Sequence, residues 1–275
     1  RVQAVELLTL TTFAESGDLL LSLLALNEKQ PVQLAAMHTL GRFTDPKIGA
    51  VLTQRWRSLT PRLRTEALGL LVARRERLTA LLDAVEAKII RRADLASPQL
   101  NFLMNHREPE LRARAVKLLT ATNVSTREEV VKAFMPALAL QGDATKGKLT
   151  YTIRCAFCHR LGGEGFMLGP DLVSVRNSGK EKLLIGILDP SREVLPQYLT
   201  YEIETKDGAS QLGVLTSETS ASVTLRQPFG KDLVIARANI ATMRSRPQSI
   251  MPDLEAGLTP QDMADLLEYI ANASQ

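Results

Sequence analysis

Both cysteines of this 275-residue chain fall within one five-residue run, Cys155-Ala156-Phe157-Cys158-His159. With no third thiol, a disulfide framework is not available, and the chain must close on hydrophobic cores of its own. The spacing also carries chemistry. Two thiols three residues apart near a helix end lie about one turn apart on one side. A haem presents two vinyl groups that two such thiols reach as thioethers, and the next residue, here His159, is placed under the iron. An imidazole binds iron through one nitrogen, while its other nitrogen needs an acceptor to fix the ring.

Two other uses of the run fit the residues less well. A structural zinc site needs four ligands. Cys155, Cys158 and His159 supply three, and neither His38 nor His106 sits in a second half-site. A redox dithiol normally starts a helix after a strand. Here the pair reads as the end of a helix from about Thr145, and Gly162, Gly163, Gly165 and Gly169 follow it. No dinucleotide fingerprint is read at Gly163-Glu164-Gly165, because no strand precedes it. Three histidines, one of them spent on iron, do not make a convincing Ser/His/Asp triad.

The length favours two domains. Hydrophobic residues at 45% and charged residues at 23% match ordinary globular sequence. Apolar runs are broken well before the roughly 20 residues a membrane span requires. The chain begins at Arg1 with no basic-then-apolar leader and reads as a piece of something longer, so missing targeting signals do not bear on location. Residues 1–134 carry 20 Lys and Arg against 14 Asp and Glu. The charges alternate in sign and aromatics are scarce, which points to solvated helix faces and not to a nucleic-acid partner.

Residues 1–134 read as helices throughout, with apolar positions at helical spacing and no period-two stretch. An internal repeat aligns Val32, Gln33, Ala36 and Leu40 with Leu63, Arg64, Ala67 and Leu71, and these with Leu111, Arg112, Ala115 and Leu119. Pro31, Pro61 and Pro109 mark the matching helix starts. The pattern resembles HEAT-type repeats, which stack into a solenoid because single pairs cannot bury their apolar faces. Past residues 138–143 the pattern changes. A helix is expected over Lys180–Leu188, ended by Asp189-Pro190. Alternation from Tyr198 onward and the turn signal Asp207-Gly208 give four short strands over about 198–240. A last helix is expected from Thr259-Pro260 to about Asn272.

Gly147, Tyr151, the Cys155–His159 run and Gly169-Pro170-Asp171-Leu172 resemble the opening of a class I cytochrome c. Ser249-Ile250-Met251-Pro252 and the helix holding Tyr269 are similar to its closing part. The resemblance implies His159 and Met251 as the axial iron ligands, with the Pro170 carbonyl accepting from His159. It also implies helices crossing at Gly147, Tyr151 and Tyr269. His159 and Met251 are 92 positions apart, wider than a minimal cytochrome c needs, and the strand block accounts for the excess. Met243 is the rival ligand, and an open iron site remains an alternative. The whole combination, including Asp189-Pro190-Ser191-Arg192-Glu193, resembles the haem-binding domain of large Planctomycetes and Verrucomicrobia dehydrogenase-like proteins. The strand block itself resembles small SH3-like or Sm-like barrels.

The expected organisation is therefore mainly α, with HEAT-like repeats over 1–138 and a cytochrome c-type haem domain over 143–275 interrupted by a small antiparallel β insertion. The resemblance implies one haem c per chain and electron transfer, with no catalysis by this segment itself. It further implies a redox partner or fused sugar-type dehydrogenase, a respiratory acceptor and a periplasmic or otherwise extracytoplasmic location. The alternative is a haem-based sensor or small-ligand binder with an open distal site. A peroxidase is disfavoured because it usually needs a second haem, and one attachment motif is present.

Overall fold

The computed structural model describes residues 1–120 and 127–273, so the part of the expected helical stretch at 121–126 lies outside the described residues. The chain is mainly helical and carries one small antiparallel sheet of five strands. It divides into two compact units, Arg1–Thr122 with Tyr201–Thr224 and Val234–Arg246, and Asn123–Thr200 with Leu225–Leu233 and Pro247–Gln275.

The first unit begins with helices α1 (Val2–Leu7), α2 (Phe13–Ser22), α3 (Gln30–Leu40) and α4 (Lys47–Gln54). They are followed by α5 (Pro61–Val72), α6 (Arg75–Glu86), α7 (Ser97–Met104) and α8 (Pro109–Thr120). Local sequence sets several starts. Thr60 accepts from the Leu63 N–H ahead of Pro61, and Pro31 and Pro109 occupy first turns, where a missing N–H breaks no helical bond. Helices α1, α3 and α5 contact in succession, as do α4, α6 and α8, with α5 against α6 joining the rows. The aligned repeat positions in α3 and α5 are all buried, whereas in α8 Ala115 and Leu119 are buried and Arg112 is exposed. Arg77 is fully buried and donates to the carbonyls of Leu40 and Leu70, in the last turns of α3 and α5, and of Phe43 in the loop after α3.

The strands are β1 (Thr200–Thr205), β2 (Ser210–Glu218), β3 (Ser222–Gln227), β4 (Lys231–Ala236) and β5 (Ile240–Ser245), in the order β4-β3-β2-β1-β5. Four strands are legible in the sequence, and β5 is the addition. It pairs antiparallel with β1, Tyr201 opposite Ser245 and Ile203 opposite Met243. Where the sequence reading treats the sheet as an insertion in the C-terminal domain, most of it groups with the N-terminal helices. Long-range hydrogen bonds explain why. The Tyr201 hydroxyl donates to the Leu59 carbonyl at 2.9 Å, and buried Arg64 donates to Ser245 while lying against the rings of Trp56 and Tyr201. Arg237 is buried too, bonded to Glu218 and to the Leu26 carbonyl.

The second unit holds α9 (Glu128–Phe134), α10 (Ala144–Arg154), α11 (Leu172–Val175), α12 (Lys180–Leu188) and α13 (Pro260–Asn272). Asp143 caps α10 by accepting from the N–H groups of Thr145 and Lys146. Thr259 and Asp262 form a reciprocal capping box ahead of α13. Helices α10 and α13 meet face to face, and a Cβ on Gly147 would stand 2.0 Å from the Asp265 carbonyl oxygen and 2.8 Å from the Tyr269 Cβ. Asp265, itself buried, accepts from the Asp143 N–H and from Gln261, both at 2.8 Å. Among the described residues no helix is long and apolar enough to cross a membrane.

Gly147→Ala therefore forces the two helices apart, and overpacking of this kind costs about 1–3 kcal/mol. Hydrogen exchange should quicken at amides of α10 and α13 and stay unchanged in α3 and α5. Unaltered protection in α10 would show that the crossing tolerates a methyl group.

Candidate functional site

The sequence reading carries the α10 helix into Cys158, but the helix ends at Arg154. The N–H groups of Cys155 and Ala156 both donate to the Tyr151 carbonyl, and those of Cys158 and His159 both donate to Cys155. The run is thus a tight turn. The loop after it supplies the reason: the Phe166 N–H takes the Ala156 carbonyl at 2.9 Å, and those of Leu168 and Gly169 take the Cys158 carbonyl at 2.9 Å. A continued helix would need both carbonyls for itself.

Cys155 and Cys158 are free thiols and buried. Burial pushes their pKa values up to about 12 and about 11, with the neighbouring Arg154 only partly offsetting the effect at Cys155. They also lie at the C-terminal end of α10, where the helix dipole disfavours a thiolate. Both features oppose the activated thiolate that a redox dithiol needs.

His159 is fixed from two sides. Its Nδ1 lies 2.8 Å from the Pro170 carbonyl oxygen. A carbonyl only accepts, so Nδ1 carries the proton and Nε2 keeps its lone pair. Burial lowers the pKa of the ring, against the smaller opposing pull of the Pro170 bond, so the neutral form is favoured. The ring packs on the backbone at Gly169, where a Cβ would stand 2.4 Å from Cε1 and 2.9 Å from either nitrogen. Tyr151 is wholly buried and its hydroxyl reaches the carbonyls of His159, at 2.9 Å, and Glu164, at 2.8 Å. Asp171 follows Pro170, pairs with Arg160 at 2.7 Å and caps α11.

Met251 belongs to the same unit, half-buried in the segment between β5 and α13. Its N–H donates to the Ser249 hydroxyl, and the Ser249 N–H donates to the Ser191 hydroxyl. Two arginines hold the residues that follow. Arg127 pairs with Asp253 at 2.6 Å and with Glu255, and its Nε donates to the last carbonyl of α12, that of Leu188. Arg154, next to Cys155, donates to the carbonyls of Leu254 and Ala256 at 3.3 and 3.0 Å.

The competitors of Met251 are occupied otherwise. Met243 is buried core of the sheet in the first unit. Met167 is exposed. His38 faces solvent beside Glu66, and His106 packs edge-on against Phe102 and accepts from the Glu108 N–H. Among the described residues no three His, Cys, Asp or Glu side chains converge to hold a metal ion by themselves.

The site thus offers two buried thiols in one tight turn beside a neutral imidazole whose Nδ1 is pinned and whose Nε2 keeps its lone pair, while Met251 lies in a separate segment of the same unit. No protein-family model matches the chain, and no curated protein matches it. Arg127 and Arg154 escape sequence reasoning, because a surface-type arginine carries no local signal of the distant carbonyls and carboxylates it will meet.

For the chain with both thiols free, proton linkage has a definite sign. An unfolded cysteine titrates near 9, whereas the folded thiols titrate near 12 and 11. The folded state then binds more protons above pH 9, so the contribution is intact below that pH and is lost between about pH 9 and 12. Urea midpoints should fall more steeply with pH over this window in the parent chain than in Cys155→Ala/Cys158→Ala. Parallel profiles would mean that the thiols are not desolvated.

Proposed function

We propose that the second unit is a cytochrome c-like domain that binds one haem c through thioethers from Cys155 and Cys158, with His159 and Met251 as axial ligands, and serves as a one-electron carrier. The observation that carries this reading is the pinned ring: Nδ1 of His159 on the Pro170 carbonyl, beside two free thiols in one turn. Bound there, the group supplies one-electron redox chemistry, at a potential that His/Met ligation raises.

The chain's own residues account for the rest. The Pro170 carbonyl orients the imidazole and increases its basicity. Gly169 lets the ring lie against the backbone, and Tyr151 ties the turn to the loop behind it. Arg127 and Arg154 hold the segment that carries Met251. With both axial positions filled by side chains, no position is left for a substrate, which argues for transfer and against catalysis by this segment.

The first unit fits a HEAT-like stack that docks or positions a partner, as its two helix rows and buried small Ala36, Ala67 and Ala115 suggest. The electron donor is then a sugar-type dehydrogenase, fused or separate, and the acceptor a respiratory protein. Thioether attachment places the protein outside the bacterial cytoplasm.

The test is the chain made in a host with thioether-forming machinery. A haem mass should survive denaturation in the parent and vanish in Cys155→Ala/Cys158→Ala. Carbon monoxide should leave the reduced parent spectrum unchanged and shift that of Met251→Ala, whose reduction potential should also fall. Absence of covalent haem would reject the proposal. Ready carbon monoxide binding by the parent would replace the carrier with the sensor.

A further inference from the structure

We propose that the tip of the β3–β4 hairpin is a clip on the attachment turn, with Phe229 as its positioning residue. Phe229 holds a left-handed backbone, φ 62° and ψ 24°, and among the described non-glycine residues only Lys88 shares a positive φ. A non-glycine residue adopts this conformation at a steric cost and persists in it only where surroundings enforce it. What enforces it is the attachment turn. The Phe229 N–H donates to the carbonyl of Phe157, the residue immediately before Cys158, at 2.9 Å. Its ring lies 5.9 Å from that of Phe157 and 6.1 Å from that of Phe166.

The rest of the tip is shaped to the same purpose. Gly230 follows at φ 67°, and a Cβ there would stand 2.8 Å from the Phe166 ring. Arg226 and Asp232 pair through two 2.8 Å bonds across the base of the tip, and the same guanidinium reaches the Met167 carbonyl at 3.5 Å. Residues 225–233, which include the inner ends of β3 and β4, accordingly group with the second unit, while the outer ends of both strands group with the first. Aromatics are scarce, yet three of the seven phenylalanines meet at this point. Phe229 itself remains 69% exposed, so burial of its own surface does not explain its position.

The clip fixes the backbone between the two thiols and limits how far the turn opens. Its consequence for a bound haem rests on the proposed function; its consequence for the thiols does not. The test is therefore made on the full chain in two forms. In the free-thiol form, Phe229→Gly removes the ring and relieves the strained φ, so global stability should hold or rise. Iodoacetamide labelling of Cys158 should nevertheless quicken about tenfold, the loss expected for one aromatic contact and its ordering of the turn. Phe229→Tyr should label at the parent rate. In the haem-loaded form, Phe229→Gly should lower the reduction potential, as water gains access to the group. An unchanged labelling rate in Phe229→Gly, or one that rises only in step with a lowered unfolding midpoint, overturns the clip. If no variant, the parent included, acquires haem while labelling still quickens, the functional proposal falls and the clip stands.

Discussion

The approach of α10 and α13 at Gly147 is the constraint on which the candidate site of the second unit depends. No side chain larger than hydrogen fits between Gly147 and the Asp265 carbonyl, so the two backbones touch. One of these helices runs directly into the Cys155–His159 turn, and the other is preceded by the segment that carries Met251. A single close contact thereby sets the helix that leads into the Cys155–His159 turn against the helix that follows the Met251 segment. Asp265 reinforces it by accepting from the Asp143 N–H, which ties the start of α10 to the middle of α13.

Around that crossing the site is built from neutral donors in a poorly solvated setting. Burial holds the thiols protonated and the imidazole uncharged, by the same penalty on charge that acts on opposite sides of the titration for the two residue types. Under the proposed function the neutral imidazole is the form that would bind iron, and the two protonated thiols are the groups that would form the thioether bonds. An acid–base or nucleophilic site would instead need a charge stabilised near neutral pH, and the environment of these residues works against one.

How much of this was legible depends on how local each cause is. The Thr259 cap ahead of Pro260, the Asp207-Gly208 turn and the break at Asp189-Pro190 are written within a few residues, and the structure follows them. The Cys155–His159 run stands out in the sequence because both thiols and an imidazole share five residues. The premature end of α10 is not, since it depends on carbonyls claimed by Phe166, Leu168 and Gly169 further along. Strand β5 escaped because its inward Ser245 breaks the apolar alternation, and that serine is satisfied by Arg64, 181 residues away. The meeting of Phe229 with Phe157 is equally hidden, as no local pattern announces a contact between a hairpin tip and a distant turn.

The two proposed axial residues are held by different physics. His159 is fixed by short-range bonds to its own loop, by a glycine that admits the ring and by a tyrosine that closes the turn, so it has little freedom to move. Met251 sits outside regular secondary structure, and its segment is held by arginine pairs and carbonyl contacts to α10 and to the end of α12. Ion pairs at partly exposed positions are individually weak, so this side rests on several contacts acting together. Under the proposed function the imidazole would be oriented by its own loop, and the thioether by contacts that reach its segment from α10 and from the end of α12.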